Sequence, residues 1–391
     1  MKNGKQTGVL IVGGGAAGIA VAARLRLKNL DVPITIIEPA TTHYYQPALT
    51  LVGAGVCTLA STHKEQSRLI PAAVAHTDGQ VTEFDPANNS VRLADGNSLS
   101  YDYLVVATGV ALDWHKIDGI KESLGTNGVC SNYSPSHAPY TWECVQGLRS
   151  GAKAIFTQAP LPFKCPGAPQ KAAYLTADYL RRKSIRDTCE VQFFTHAPVI
   201  FGVPFFAREL VKVAARHDIK VNYQHNLVAV DGARKLATFE RVDDAHKGER
   251  LTVPFDMLHV SPPQSPPEEV RKSPLVNAAG WVEVDQNTMQ HMRYPNVFSL
   301  GDVCSTPNSK TAAAVRKQAP VVVRNIARMM ANEVCEKGYD GYASCPLTTA
   351  YGKVIMAEFT YGGKVTPTLP LNPAHESAIG WQIKTRGLPL L

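Results

Sequence analysis

The stretch that most restricts the fold is GVLIVGGGAAG, residues 8–18. An apolar run long enough for one buried strand breaks at three glycines, and an alanine-rich helical pattern follows at once. Gly13, Gly15 and Gly18 stand in G-x-G-x-x-G register, with Gly14 between the first two. A glycine at the first position permits a tight turn, and at the second it lets backbone approach a pyrophosphate. At the third it lets the helix close on the strand, while the helix N-terminus attracts phosphate charge. The spacing predicts a strand over 8–13, a helix over 16–28 and a second strand over Val32–Glu38. Glu38 falls about 20 residues past the glycines, where an acidic side chain accepts hydrogen bonds from a ribose. The chain therefore begins as a doubly wound α/β dinucleotide-binding unit.

Two later stretches point to the same ligand. YDYLVVATG, residues 101–109, is a buried strand ending at Thr108 and Gly109, and NVFSLGD brings Asp302 after a glycine. Three separated segments converging on one cofactor suit a long, buried dinucleotide, and FAD is the expected cofactor. Between them, 79–95 reads as a hairpin. A second α/β pattern begins near 151, with helices over 170–183 and 204–217, antiparallel segments near 226–241 and a turn-rich connector at 262–267. The expected fold is two Rossmann-like doubly wound domains, the second inserted into the first. Residues 1–150 and 270–335 would form the FAD domain, 151–269 the insert and 336–391 a C-terminal section covering the flavin.

Composition narrows the function classes. At 391 residues the chain has room for two or three cores, and 45 % apolar against 19 % charged residues excludes disorder as the main state. Lys and Arg total 40 against 33 Asp and Glu, a net charge of +7 with no long basic run, so nucleic acid is not an expected partner. No apolar stretch reaches the roughly 18 residues of a membrane span. The first 25 residues imitate an export signal, but the glycine triplet and Arg24 predict strand, turn and helix instead. A cytoplasmic location is expected, with eight cysteines mostly as free thiols and any stable bridge catalytic rather than structural. No metal is expected.

The second α/β unit lacks what a nicotinamide cofactor needs. After its first strand the turn reads APLPFKCPGAPQK, in which Pro160, Pro162, Pro166 and Pro169 remove amide donors that a phosphate would use. Gly167 is its one glycine, and the next strand ends in His196 rather than an acid. Electrons must enter by another route. Cys165 lies between Lys164 and Pro166 with Lys171 nearby at a helix start, a cationic setting that favours the reactive thiolate. Its candidate partner is Cys345 in YASCPL, again before a proline and read as a loop position. Cys57, Cys130, Cys144, Cys189 and Cys335 read as small apolar residues, with Cys130 an outside candidate for a third redox thiol; Cys304, close to Asp302, reads as packing near the flavin.

With these residues in place, the chain resembles the sulfide:quinone oxidoreductases, in the branch that includes the mitochondrial enzyme. The resemblance rests on VGGGAAG, HYYQPALTLVGAG, CSNYSP, KCPGAPQK, MLHVSPPQSPP, AAGWVEVD, RYPNVFSLGD, SKTAAAV and YDGYASCPL, spread over nearly the whole chain. It implies Cys165 and Cys345 as the redox pair, with Cys345 facing the flavin. It implies FAD contacts at Gly14, Gly15, Glu38, Gln46, Val81, Gly109, Asp302, Lys310, Thr311, Ala312 and Ala313. Lys384 would stand near the flavin and the quinone. The implied partners are hydrosulfide, a quinone and a small sulfur acceptor such as glutathione, sulfite or sulfide. The implied location is peripheral, on the cytoplasmic face of the inner membrane. The tail itself, with Ile379, Trp381, Ile383, Leu388, Leu390 and Leu391 beside Lys384 and Arg386, reads either as an interfacial segment that touches lipid or as a C-terminal helix packed on the core. Rival readings are a type II NADH:quinone reductase and a flavin-binding thiol sensor that turns nothing over.

Overall fold

The computed structural model describes residues 6–30, 32–370 and 372–390, the side chains of residues 6, 7 and 390 excepted; Leu391 lies outside them. The first apolar run forms the strand Gln6–Val12 at the centre of a sheet. Ile34–Ile37 and then Ala75–Thr77 flank it on one side and Ser98–Val106 on the other, all parallel. Val297–Ser299 joins the far half of Ser98–Val106 in parallel register. Its near half carries the antiparallel strands Ser90–Leu93 and Val81–Asp85, the hairpin expected over 79–95. Val9, Leu10, Ile11, Leu104, Val105 and Val106 are fully buried. Strands covered on both faces read as continuous apolar runs rather than alternating ones, which is why they stand out in the sequence. Helices Ala16–Leu27 and Ala312–Met330 pack together against this sheet.

A second sheet holds five parallel strands in the order Val129–Cys130, Met257–His259, Lys153–Gln158, Glu190–Thr195 and Lys220–Tyr223. A separate antiparallel sheet, His225–Asp231, Leu236–Arg241 and Arg250–Pro254, leads back into it. The proline-rich connector is more than a turn: Gln264 and Ser265 pair with Leu112 and Ala111 where the chain passes between the two parallel sheets.

The section after 336 forms the hairpin Ala343–Ala350 and Lys353–Phe359. It packs on the helix Ala168–Arg182, which is buried from Ala168 through Asp178. Ala168, Ala172, Ala173 and Ala177 leave room for close neighbours on both sides of that helix. The side chain of Asp178 is wholly buried and is held by Arg181 at 2.6 Å and Arg182 at 3.0 Å. Tyr351 N–H, in the hairpin turn, donates to the same carboxylate at 3.1 Å. A buried carboxylate is tolerable only with such partners, so this cluster fixes the hairpin over the helix. Among the described residues no helix is long and apolar enough to cross a membrane.

Candidate active site

The glycine turn is built for a close ligand. A methyl group on Gly13, whose φ is +103°, would lie 2.4 Å from Ala107 O, and one on Gly18 would lie 1.9 Å from Gly13 O. Around Gly15, by contrast, nothing stands within 4 Å of that position, so its backbone faces open space. Gly14 N–H donates to Glu38 Oε2 at 2.7 Å, and Ala40 N–H donates to Glu38 Oε1 at 2.8 Å. These bonds aim the Glu38 carboxylate across the turn and leave further lone pairs for a ribose. Thr108 Oγ1 is buried with no partner, and Gly109, at φ +67°, is open. An orphaned hydroxyl beside open glycine backbone is what a phosphate- and ribose-bearing group would complete. Asp302 follows Gly301, whose N–H donates to Gln318 Oε1 at 2.9 Å. Burial raises the Asp302 carboxyl above its ordinary range, against the pull of Lys310 and Lys164. These residues fit a dinucleotide.

The rest of the assigned contacts are placed less uniformly. Thr311 caps the helix Ala312–Met330, its Oγ1 accepting from Ala314 N at 3.2 Å, and leaves Ala312 and Ala313 on the first turn facing outward. Lys310 Nζ donates to Cys304 O at 2.9 Å and lies 4.1 Å over the Trp281 ring. Gln46 is exposed at the start of a short helical turn. Val81 packs its side chain into the core, so any cofactor contact there comes from its backbone.

The thiols meet at the far end. Cys165 has a left-handed backbone with φ +50°, a conformation costing a non-glycine residue ~1–2 kcal/mol. Three hydrogen bonds hold it: its N–H donates to Lys310 O at 2.8 Å, and its carbonyl accepts from Ala168 N at 2.8 Å and Tyr133 Oη at 3.3 Å. The expectation of a loop for Cys345 is corrected, since it sits within the strand Ala343–Ala350 and is 3 % exposed. Pro346 breaks nothing there because its strand, Ala343–Ala350, pairs with Lys353–Phe359 on one side and, among the described residues, with no strand on the other. The Cys345 thiol donates a hydrogen bond to the Cys165 sulfur. Gly167 makes the approach possible, since a methyl group on it would lie 2.6 Å from Cys345 Sγ.

Lys171 and Lys384, both buried, complete the cluster, and Lys171 Nζ donates to Cys165 Sγ at 3.3 Å. The hydrogen bond from Cys345, helped by the two ammonium groups, holds the Cys165 thiol well below its ordinary value despite its burial. The same hydrogen bond, together with burial, pushes Cys345 well above. Burial would lower Lys171, but Cys165 and Cys345 more than offset it and keep the ammonium charged. Lys384 is brought down to about 8 by burial and then by repulsion from Lys171. Lys164 is also lowered by burial, against Asp302 and Cys165. The pair thus sets one sulfur biased toward thiolate beside one biased toward thiol inside a cationic shell, suited to attracting a small anionic sulfur species and exchanging with it. A cavity of about 460 Å³ reaches the loop at Phe163 and Pro166 and is lined farther out by Phe201, Trp281, Phe359 and Tyr361.

Residues 7–136 match the family described as pyridine nucleotide-disulphide oxidoreductase. A mitochondrial sulfide:quinone oxidoreductase of Mus musculus is 40 % identical over 98 % of this chain and 84 % of its own length. Its counterpart in Dictyostelium discoideum is 43 % identical over 95 % of this chain and 81 % of its own. The chain belongs to the sulfide:quinone oxidoreductase family. The X-ray structure of the sulfide:quinone oxidoreductase from Aquifex aeolicus shares the fold, with a TM-score of 0.81, 21 % identity and coverage of 99 % of this chain and 90 % of that one. Membership makes the chain a flavin-dependent oxidoreductase, in accord with the glycine turn and the orphaned Thr108.

The folded chain also brings residues to the thiols that their local sequence does not single out. Tyr45, in HYYQPAL, faces Lys171 and Cys165, and burial pushes its hydroxyl up to about 12. Tyr133, in CSNYSP, fixes the Cys165 carbonyl. Both lay inside motifs already singled out, where a tyrosine beside a polar loop was the available signal. Gly167 had no such signal, because its role depends on a sulfur 178 positions away in the chain.

Proposed function

We propose that this chain oxidises hydrosulfide at Cys165 and Cys345 and passes the two electrons through FAD to a quinone. The observation that carries the reading is Lys171 Nζ at 3.3 Å from Sγ of the half-buried Cys165, in the cluster that also holds the buried Cys345. In the oxidised enzyme the two cysteines are joined, as a disulfide or with one further sulfur between them. Hydrosulfide attacks one sulfur; one cysteine becomes a persulfide and the other leaves as a thiolate. A thiol of low pKa leaves faster, and the cationic shell favours Cys165 in that role, so the persulfide forms on Cys345. This exchanges the roles that resemblance assigned, in which Cys345 faced the flavin. Lys164 and Lys171 hold the anionic sulfur, while the apolar hairpin around Cys345 keeps water away. A small nucleophile such as glutathione, sulfite or sulfide takes the outer sulfur and leaves two reduced cysteines. Their return to the oxidised form releases the electron pair. A bound FAD supplies the acceptor for that pair and the route to the quinone.

FAD would be held by Gly13, Gly14, Gly15, Gly18, Glu38, Thr108, Gly109, Asp302 and Lys310 to Ala313, and Lys384 would stand toward the quinone. A quinone with a long apolar tail requires the chain to dock on a lipid surface, and the exposed Ile379 in the last helical turns is material for that contact. Anaerobic mixing with sulfide should bleach the flavin within seconds, and a soluble quinone should then restore its absorbance. An oxidised spectrum that persists at millimolar sulfide would overturn the reading.

A further inference from the structure

The motif MLHVSPPQSPP holds a polar side chain to which the thiol chemistry gives no part. Gln264 lies in the connector between the two parallel sheets and pairs with Leu112, just past Thr108 and Gly109. The connector is tied down there: Asp113 N–H donates to Pro263 O at 2.8 Å, and Ser265 Oγ donates to Asp113 Oδ1 at 3.0 Å. From this anchor the Gln264 side chain reaches the thiol loop, its Oε1 accepting from Lys164 N–H at 3.0 Å. Gln264 thus links the segment that carries Thr108 and Gly109 to the residue before Cys165. The bond to Lys164 also fixes which way the amide faces. Turned over, it would set Nε2 against the Lys164 N–H, donor against donor, so Oε1 faces the loop and Nε2 faces away. Nε2 is buried without a partner, in a residue that is only 7 % exposed. A buried N–H is seldom left unbonded in a folded chain. Thr108 Oγ1, at the other end of the run from 108 to 112, is orphaned in the same way.

We propose, resting on the flavin placement given above, that Gln264 is a positioning residue joining the Cys165 loop to the flavin. Its Oε1 holds the loop, and its Nε2 donates to a carbonyl oxygen of the flavin ring. A carbonyl is an acceptor that an amide N–H fits, and the ring's carbonyls gain negative charge when the ring takes up electrons. Hydrogen bonds to charged acceptors are roughly twice as strong as neutral ones. The Gln264 donor therefore favours the reduced flavin over the oxidised one. Because one planar amide makes both bonds, the thiol loop and the flavin are held to a common anchor at Leu112 and Asp113.

The test compares Gln264→Leu and Gln264→Glu with the parent, each as the full, flavin-loaded chain at about pH 9, far above the ordinary carboxylate range. Leucine removes both bonds. Glutamate keeps an acceptor for Lys164 N–H and lacks the donor, so it decides the matter even where the leucine variant does not fold. Infrared spectra of the oxidised flavin should show a carbonyl stretch at higher wavenumber in both variants, since each has lost the same donor. Titration against a reference dye should find two-electron reduction of the Gln264→Leu protein at least tenfold less favourable, about 30 mV lower in potential. Carbonyl bands at the parent position in Gln264→Glu would overturn the proposal, whatever its potential. A change confined to Gln264→Leu would likewise overturn it, by assigning the effect to the Lys164 bond alone. Neither measurement uses sulfide, so failure here leaves the sulfide-oxidation reading standing.

Discussion

Replacing Gly167 with alanine should disable the thiol pair while leaving the fold standing. The backbone at Gly167 is right-handed helical, with φ −84°, so alanine brings no conformational strain. The added methyl would instead lie 2.6 Å from both Cys345 Sγ and Leu347 Cδ2, where ordinary contact begins at 3.4 Å, so about 1 Å must be given up. The helix Ala168–Arg182 cannot retreat easily, because it is buried along most of its length. The cheaper response is for the Cys345 thiol to swing away from Cys165. Overpacking of this kind costs ~1–3 kcal/mol of stability. Losing a hydrogen bond to a charged sulfur is worth about 1.5–3 kcal/mol, which corresponds to roughly 10- to 100-fold in rate. Stopped-flow bleaching by sulfide should therefore slow by at least tenfold, while flavin content stays normal and thermal unfolding shifts by only a few degrees. Alkylation of Cys165 should also need higher pH, because the thiolate has lost its first stabilising partner. A folded Gly167→Ala protein that bleaches at the parent rate would refute the placement of Cys345 against Cys165.

Further outcomes follow from the same geometry. Lys384 loses its proton as pH rises through about 8, withdrawing positive charge from Cys165 and Cys345. The Lys384→Arg protein keeps that charge, so its bleaching rate relative to the parent should climb between pH 7 and 9; a flat ratio would contradict the role given to this ammonium. NADH at millimolar concentration should leave the flavin oxidised on the catalytic timescale. The cavity beside the Cys165 loop is lined by Leu161, Pro162, Phe163 and Pro166, and the Nζ of Lys310 in that lining already donates to Cys304 O. Stoichiometric bleaching by NADH within seconds would restore the nicotinamide reading. Co-sedimentation with anionic vesicles should be reversible and salt-sensitive, and weakened by Ile379→Glu, whose parent side chain is 61 % exposed. Binding indifferent to that change would remove the tail as the contact.

How far the sequence reached depended on how local each feature is. The glycine turn needs only neighbours in the chain, so Gly13, Gly15 and Gly18 announce strand, turn and helix before any fold is known. Cys165 was also legible, because prolines occupy positions where amides would hold a phosphate. Cys345 was singled out but misplaced: a cysteine before a proline reads as a loop, and nothing nearby reveals that Pro346 lies on the edge strand of a hairpin. What stayed hidden was convergence. Lys171 reads as a helix-start cation, and only the folded chain turns its Nζ onto Cys165 Sγ. Tyr45 and Lys384 reach the same point from opposite ends of the sequence.

The most direct measurement is anaerobic sulfide titration of Cys165→Ser and Cys345→Ser beside the parent protein, followed by flavin absorbance. Both cysteines lie away from the glycine turn, Glu38 and Thr108, so each variant should purify yellow with a full complement of flavin. Sulfide should bleach the parent within seconds and leave both variants oxidised, while dithionite bleaches all three. Rapid bleaching of either variant by sulfide would contradict the claim that electrons pass through this pair of sulfurs.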